Sequence, residues 1–404
     1  MSGLRILQIM NRVPWPLKDG GALGFFNYVK GYHEARCEVT VCAINTNKHW
    51  VEMEKLPADV KQLADWKTIT LNTDVRPLDA FLNLFGSDSY NIQRFVSPAF
   101  ENLLIQILKT KSFDVIVFEG LFVSPYIHAV RKHSKAPCIL RQHNVEYQIW
   151  ETLAKNEKQP IKAWYLQLLA KRMKKAEHNA IRLFDGLTTV TQQDADVFKA
   201  MGCKSPIFVS PFGIDLGRLS PNHTAIEKAS VFHLGSMEWL PNRQAMEWFL
   251  EEVWPTVNRS VPEAIFYLAG RGMPESFKHY ASASVVIVGE VEDAIEFMQQ
   301  KEIMIVPLFA GSGIRVKILE GLALGKEIVS TPLGAQGIAC EDGKHLLLAS
   351  DKDTFAAQLI RLLRNPEEAA KLRLEANQLA ISVYDNTKII HRVLQFYKSL
   401  ITAA

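Results

Sequence analysis

The chain has 404 residues, 48% of them hydrophobic and 22% charged, with a net charge of +3. It is too long for one ordinary core and too evenly mixed for disorder, so two α/β domains of roughly 200 residues each are expected. No apolar run reaches the ~18–20 residues that span a bilayer, and residues 1–6 lead straight into a strand without a signal-peptide pattern. The five cysteines, Cys37, Cys42, Cys138, Cys203 and Cys340, show neither a CxxC pair nor metal-ligand spacing, which points to reduced thiols in a cytoplasmic protein.

In chain order, strands are predicted at 5–10, 38–43, 68–71, 115–118, 138–142, 186–191 and 207–211, with helical patterns at 25–32, 100–108 and 164–183 between them. Alternation of this kind makes one parallel sheet with crossover helices. Within it lies a basic stretch, Lys158, Lys162, Lys171, Arg172, Lys174 and Lys175, interleaved with Ile161, Trp164, Tyr165, Leu168, Leu169 and Met173. Such a helix suits peripheral contact with an anionic inner membrane surface, or is simply a solvated face over a core stripe; no nucleic-acid motif accompanies it. The first 212 residues hold 27 Lys and Arg against 20 Asp and Glu, whereas the rest hold 19 against 23, so the first half is the basic half. A turn-rich linker at 210–224 separates a second series of strands at 231–234, 265–269, 285–288, 303–306, 327–330 and 345–348. The expected domains are therefore residues 1–212 and 213–385, with a final helix in 386–404 packing back on the first.

The densest chemical signal is Val306-Pro307-Leu308-Phe309-Ala310-Gly311-Ser312-Gly313-Ile314-Arg315-Val316-Lys317-Ile318-Leu319-Glu320, an apolar strand, a glycine turn and a helix start. Glycines admit backbone N–H groups to a phosphate, the helix N-terminus adds partial positive charge, and Arg315 and Lys317 add formal charge. Lys317 and Glu320 share a helix face, so that one meets phosphate while the other accepts ribose hydroxyls; at the same spacing they also make an ordinary solvated ion pair. Placement directly after a buried strand favours the ligand reading, because open α/β sheets bind ligands there.

Four segments now carry a resemblance to a known family. They are Pro14-Trp15-Pro16-Leu17-Lys18-Asp19-Gly20-Gly21, Pro211-Phe212-Gly213-Ile214-Asp215 with Pro221 beyond it, Gly235-Ser236-Met237-Glu238-Trp239-Leu240-Pro241-Asn242, and the run from Gly311 to Gly325. In this order and spacing the chain resembles, over its whole length, a retaining glycosyltransferase of the GT-B fold, family 4 or group 1 type. The resemblance implies two Rossmann-like, doubly wound parallel-sheet α/β domains facing across a cleft, the first binding the acceptor and the second a nucleotide sugar.

Carried over by residue, the resemblance implies a donor site of Gly20, Gly21, Gly235, Ser236, Asn242, Gly270, Val291, Ser312, Gly313, Ile314 and Glu320. Glu320 matches the second glutamate of the family's E-x7-E pattern, the one that binds ribose; Ser312 stands where the first would be. Ser236 likewise replaces a family arginine, so phosphate charge falls to Arg315 and Lys317, and the backbone near Gly289-Glu290-Val291 reads the base. His143, following the strand at 138–142, matches the histidine that faces the donor sugar, and Glu119 one strand away is expected to contact the acceptor. The expected catalytic set is His143, Arg315 and Lys317.

Breaking the bond from the anomeric carbon to a diphosphate builds negative charge on the leaving group, which fixed N–H dipoles and two cations stabilise without a metal. Asp194-Ala195-Asp196 resembles a metal-binding DxD, but Thr191 ahead of it reads as a helix cap, so no metal and no cofactor beyond the co-substrate is expected. The partners implied are a nucleotide sugar and a glycan or lipid-linked acceptor, in cell-envelope, capsule or exopolysaccharide synthesis. Two other readings stand beside this one, a non-catalytic nucleotide-sugar-binding homologue and a nucleotide-sugar epimerase on the same fold.

Overall fold

The computed structural model describes residues 3–17, 19–76, 83, 86, 88–219, 226–311 and 313–403. It divides into two compact units, residues 1–213 with 387–404, and residues 214–386.

The first unit is built on seven strands: β1 (Arg5–Met10), β2 (Glu38–Thr46), β3 (Asp65–Leu71), β4 (Val115–Glu119), β5 (Cys138–Gln142), β6 (Gly186–Thr189) and β7 (Ile207–Val209). All pair in parallel, in the order β3-β2-β1-β4-β5-β6-β7. The central strands are apolar runs because helices cover both sheet faces. Strand β2 extends past the predicted end because Ile44, Asn45 and Thr46 pair with Ile69, Thr70 and Leu71 of β3.

In the second unit β8 (Ser230–Leu234), β9 (Ile265–Ala269), β10 (Val285–Gly289), β11 (Ile303–Val306), β12 (Glu327–Ser330) and β13 (Leu347–Leu348) form a parallel sheet in the order β10-β9-β8-β11-β12-β13. β13 starts later than predicted because His345 belongs to the preceding turn, where its Nδ1 accepts the Glu341 N–H at 2.9 Å. Strand order reverses between β1 and β4 in one sheet and between β8 and β11 in the other. Parallel sheets open a ligand crevice at the carboxyl ends of the strands flanking such a reversal, which fixes where each unit's site belongs.

The last helix, Asn386–Ala403, supplies Ile389, Ile390, Val393, Leu394 and Tyr397 to the cluster that holds Ile6, Val39, Val41, Val117 and Ile139 of the first sheet. Its Tyr397 hydroxyl hydrogen-bonds the Tyr32 hydroxyl at 2.8 Å. Among the described residues no helix is long and apolar enough to cross a membrane. Because Ile390 is 1% exposed, Ile390→Ala leaves a cavity and is expected to destabilise the protein by about 2–5 kcal/mol, read from urea unfolding. An unchanged midpoint would mean that this helix is not part of the first unit's core.

Candidate functional site

In the first unit, three neighbouring strands converge on one carboxylate. Register places Met10 of β1 opposite Glu119 of β4, and Glu119 opposite Arg141 of β5. The Glu119 side chain is 0% exposed. Its Oε1 accepts from Gln8 Nε2 at 2.5 Å; its Oε2 accepts from Arg141 Nη1 at 2.8 Å and lies 2.9 Å from His143 Nε2. Glu119 therefore has no surface with which to touch an acceptor, and that expectation is corrected: it lies beneath His143. Arg141 also donates to the Gly24 carbonyl at 3.3 Å and sits 3.4 Å over the Tyr28 ring. His143, whose side chain is 21% exposed, packs against Phe25 with ring centroids 4.7 Å apart.

Charge balance within the cluster follows from these contacts. Burial pushes the Glu119 carboxyl up, but Arg141, His143 and Gln8 more than offset it and hold the group below its ordinary value. Burial and the Arg141 charge push His143 down, and Glu119 only partly opposes them.

The turn after His143 is held from another helix. Glu177, within helix Pro160–Ala180, accepts the N–H groups of Glu146 and Tyr147, both at 2.9 Å, and so caps helix Glu146–Asn156. Burial raises the Glu146 carboxyl to about 7. Gln8, Arg141 and Glu177 were missed by sequence reasoning, although a polar side chain inside an apolar strand, as at Gln8 and Arg141, is a usable signal.

Gly20 and Gly21 do not form a loop. They open helix Gly20–Glu34, because Asp19 accepts the N–H groups of Gly21 and Ala22 at 2.9 and 3.0 Å and is itself paired with Arg12. Asp194 lies in the first turn of helix Gln192–Ala200, its N–H donated to the capping Thr191 hydroxyl at 3.0 Å.

In the second unit the strand ends are tied to one another through glycines. The Gly235 N–H donates to the Ala269 carbonyl at 3.1 Å, and the Gly270 N–H to the Gly289 carbonyl at 2.7 Å. Gly270 has φ +148°, and a Cβ there would lie 1.7 Å from the Gly235 carbonyl oxygen. A Cβ on Gly235 would in turn meet Asn242 Nδ2 at 2.7 Å and His233 Nε2 at 2.8 Å. Asn242 Nδ2 donates to the Ser236 carbonyl at 2.9 Å and closes the turn. His233 donates from Nδ1 to the Ile305 carbonyl at 3.0 Å, and burial pushes it down to about 4, so it is neutral. Val291 follows Gly289 in the next loop, half-buried.

Beyond β11, Ser330 donates to the Val306 carbonyl at 3.1 Å and Thr331 to the Leu308 carbonyl, fastening the approach to the glycine turn. Gly311 has φ +116°, and a Cβ would collide with the Trp239 indole at 2.6 Å; Gly313 has φ +82° with open space around it. The Arg315 guanidinium lies 5.6 Å from the Trp239 ring centroid and donates to the Gly313 carbonyl. Trp239 thus joins the Gly235–Asn242 turn to the Gly311–Arg315 loop. Ile314 is half-buried in that loop; Ser312 and Pro221 lie outside the described residues. Helix Val316–Ala323 follows, on which Lys317 Nζ and Glu320 Oε2 pair at 2.7 Å.

The basic stretch is divided in its duties. Arg172 donates to the Asn83 carbonyl and side chain, each at 2.8 Å, and to the Gly86 carbonyl at 2.6 Å, so it is a structural cation and not a membrane contact. Lys174 lies 4.7 Å over the Tyr147 ring and Lys162 pairs with Glu157 at 2.5 Å. Lys158, Lys171 and Lys175 are exposed, as are Ile161 at 84% and Trp164 at 62%.

Comparison with known proteins follows the same division. Residues 19–218 match a family described as Glycosyltransferase Family 4, and residues 228–365 one described as Glycosyl transferases group 1. Among curated proteins, an uncharacterized 44.6 kDa protein in the cps region of Klebsiella pneumoniae is 24% identical over 308 residues, 72% of this chain and 76% of that one. A phosphatidyl-myo-inositol mannosyltransferase of Mycobacterium leprae is 25% identical over 168 residues, 40% of this chain and 44% of the other. The sucrose-phosphate synthase of Thermosynechococcus elongatus superposes with a TM-score of 0.71 at 14% identity, covering 99% of this chain and 100% of its own. HepE of Anabaena, solved with UDP and glucose, gives 0.65 at 12% identity, covering 98% and 100%.

Two substitutions test the strand-end geometry. Gly270→Ala drives a methyl into the Gly235 carbonyl and is expected to cost several kcal/mol of stability, whereas Gly313→Ala bears only the ~1–2 kcal/mol of a left-handed backbone. Chemical denaturation ranks them, and equal costs would contradict the close approach. Glu177→Ala is expected to cost about 1–3 kcal/mol by leaving two buried N–H groups unpaired, with faster hydrogen exchange at Glu146 and Tyr147.

Proposed function

The chain belongs to the glycosyltransferases of group 1 and family 4, and from that premise we propose a retaining, metal-independent transfer of a sugar from a nucleoside-diphosphate sugar to a glycan or lipid-linked acceptor. The observation that carries the reading is the glycine turn at 311–313, with Arg315 and Lys317 beside it, at the carboxyl end of a strand flanking the reversal in the second sheet. In this reading the second unit holds the donor. Backbone N–H groups of Ser236, Gly313 and Ile314 face the sugar and phosphates, Glu320 takes the ribose, and the backbone near Val291 takes the base. The first unit holds the acceptor, and His143 hydrogen-bonds the transferred sugar.

As the bond from the anomeric carbon to the diphosphate breaks, its electron pair leaves with the phosphate, where Arg315 and Lys317 stabilise the growing charge. The acceptor hydroxyl then bonds to that carbon on the face the nucleotide leaves, and its proton passes to the departing phosphate oxygen. No pair of catalytic carboxylates is needed, unlike in a glycoside hydrolase. UDP and UDP-glucose in HepE structures and the cps-region relative support a UDP-sugar donor and a role in capsule or envelope polysaccharide synthesis. A lipid-linked acceptor would bring the protein to the cytoplasmic face of a membrane through Lys158, Lys162, Lys171 and Lys175 around Ile161 and Trp164.

Calorimetry and thermal shift against UDP-, GDP- and dTDP-sugars are expected to select one nucleotide. About 100-fold saturation should stabilise the protein by roughly 2.7 kcal/mol, and Lys317→Ala and Glu320→Ala should each abolish the shift. Binding without nucleotide release when acceptors are supplied would favour a non-catalytic binding protein, and no binding at all would refute the donor site. Turnover is expected to be unchanged in excess chelator, and the product's anomeric configuration, read by NMR, should match the donor's. Trp164→Glu should weaken cosedimentation with anionic vesicles while leaving nucleotide binding intact.

A further inference from the structure

The first unit holds a buried charge cluster whose job is not packing alone. Glu119 sits at 0% side-chain exposure with Gln8, Arg141 and His143 on its two oxygens, while His143 is the partner that reaches solvent. A carboxylate only accepts, so at 2.9 Å the hydrogen in the Glu119–His143 contact is on Nε2. The Arg141 guanidinium, 2.8 Å from the same Oε2, keeps the carboxylate ionised. Phe25 packs against the imidazole and fixes its tilt. Nδ1 has no hydrogen-bond partner among the described residues.

We propose that Glu119 is a positioning residue that locks His143 as the neutral Nε2–H tautomer, so that Nδ1 meets the bound sugar as a hydrogen-bond acceptor. The inference rests on the transferase reading and sharpens it. The site selects a hydroxyl, which can donate to Nδ1, at that point of the sugar, and rejects a carboxylate or an ether there, which cannot. The charged groups around the imidazole are Glu119 from β4, Arg141 from β5 and Arg12 from the loop after β1; the two arginines disfavour the imidazolium and Glu119 favours it.

The test uses the full chain labelled with 15N in histidine, with His143→Gln assigning the signals by their disappearance. Long-range proton–nitrogen correlation is expected to show His143 as the Nε2–H tautomer at neutral pH, with no donor or acceptor needed. In Glu119→Gln the second tautomer should appear. The His143 titration midpoint and the acid limb of the pH–rate profile should both move to lower pH, because the negative charge is gone and two arginines remain. The fall in kcat should be about tenfold or more, with the donor KM little changed. An Nδ1–H tautomer in the wild type, or an unmoved midpoint in Glu119→Gln, overturns the proposal. Should Glu119→Gln fail to fold with Arg141 unpaired, the double variant Glu119→Gln/Arg141→Met removes both charges, and the wild-type tautomer still decides. A protein that binds no nucleotide sugar would refute the transferase reading and leave the tautomer result standing.

Discussion

Everything in the first unit's buried cluster depends on keeping one ionised carboxylate at the end of the sheet's middle strand. A lone buried charge is not tolerated, so the fold must bring both oxygens of Glu119 hydrogen-bond donors, and the adjacent strands supply the first of them. Gln8 on β1 and Arg141 on β5 do this from either side. The arrangement has a geometric consequence for function. Once Glu119 is fixed by two strands, its remaining contact fixes the ring of His143, which is the only member of the group at the surface. Rigidity is transmitted outward from the sheet to the His143 imidazole through hydrogen bonds of 2.5–2.9 Å.

The second unit solves a different problem with backbone instead of side chains. The loops at the strand ends must approach one another closely, and side chains there would keep them apart. Gly270 can lie against the Gly235 carbonyl because it carries no Cβ, and Gly311 can lie against Trp239 for the same reason. His233 and Ser330, both buried, hold the end of β11 through hydrogen bonds to the Ile305 and Val306 carbonyls. Neutral His233 adds no charge of its own there, and the formal charges nearest the glycine turn are those of Arg315 and Lys317.

How much of this was legible in the sequence varies by the range of the interaction. Strand positions were readable because both sheets are parallel and their central strands are buried on two faces, which writes those strands as apolar runs. Strand ends were less so: Asn45 and Thr46 of β2 and Asp65 and Lys67 of β3 continue their strands with polar residues that only pairing reveals. The glycine turns were readable because φ > 0 and close approach leave few alternatives to glycine. Glu119 was misjudged because a carboxylate at a strand end looks available until Gln8, 111 residues away, is brought against it. Gly20 and Gly21 are poor helix formers, yet the adjacent Asp19 cap, itself held by Arg12, starts a helix there. Arg172 looked like one more cation in a basic face, and only the fold shows its guanidinium occupied by the carbonyls of residues 83 and 86.

The Lys317–Glu320 pair shows why a bland contact and a binding site need not be rival descriptions. At 2.7 Å, with the lysine 39% exposed, the pair is a surface ion pair of the kind worth about 0–1 kcal/mol. So small a stabilisation is easily exchanged for stronger contacts. A phosphate offers Lys317 a charge-assisted hydrogen bond roughly twice as strong as a neutral one, and a ribose hydroxyl offers Glu320 a donor in place of the ammonium. The pair also holds both side chains on one face of helix Val316–Ala323. The net negative charge of the second half of the chain is no obstacle to binding an anion. Charges beyond about 8–10 Å are screened at physiological ionic strength, and the local cations decide.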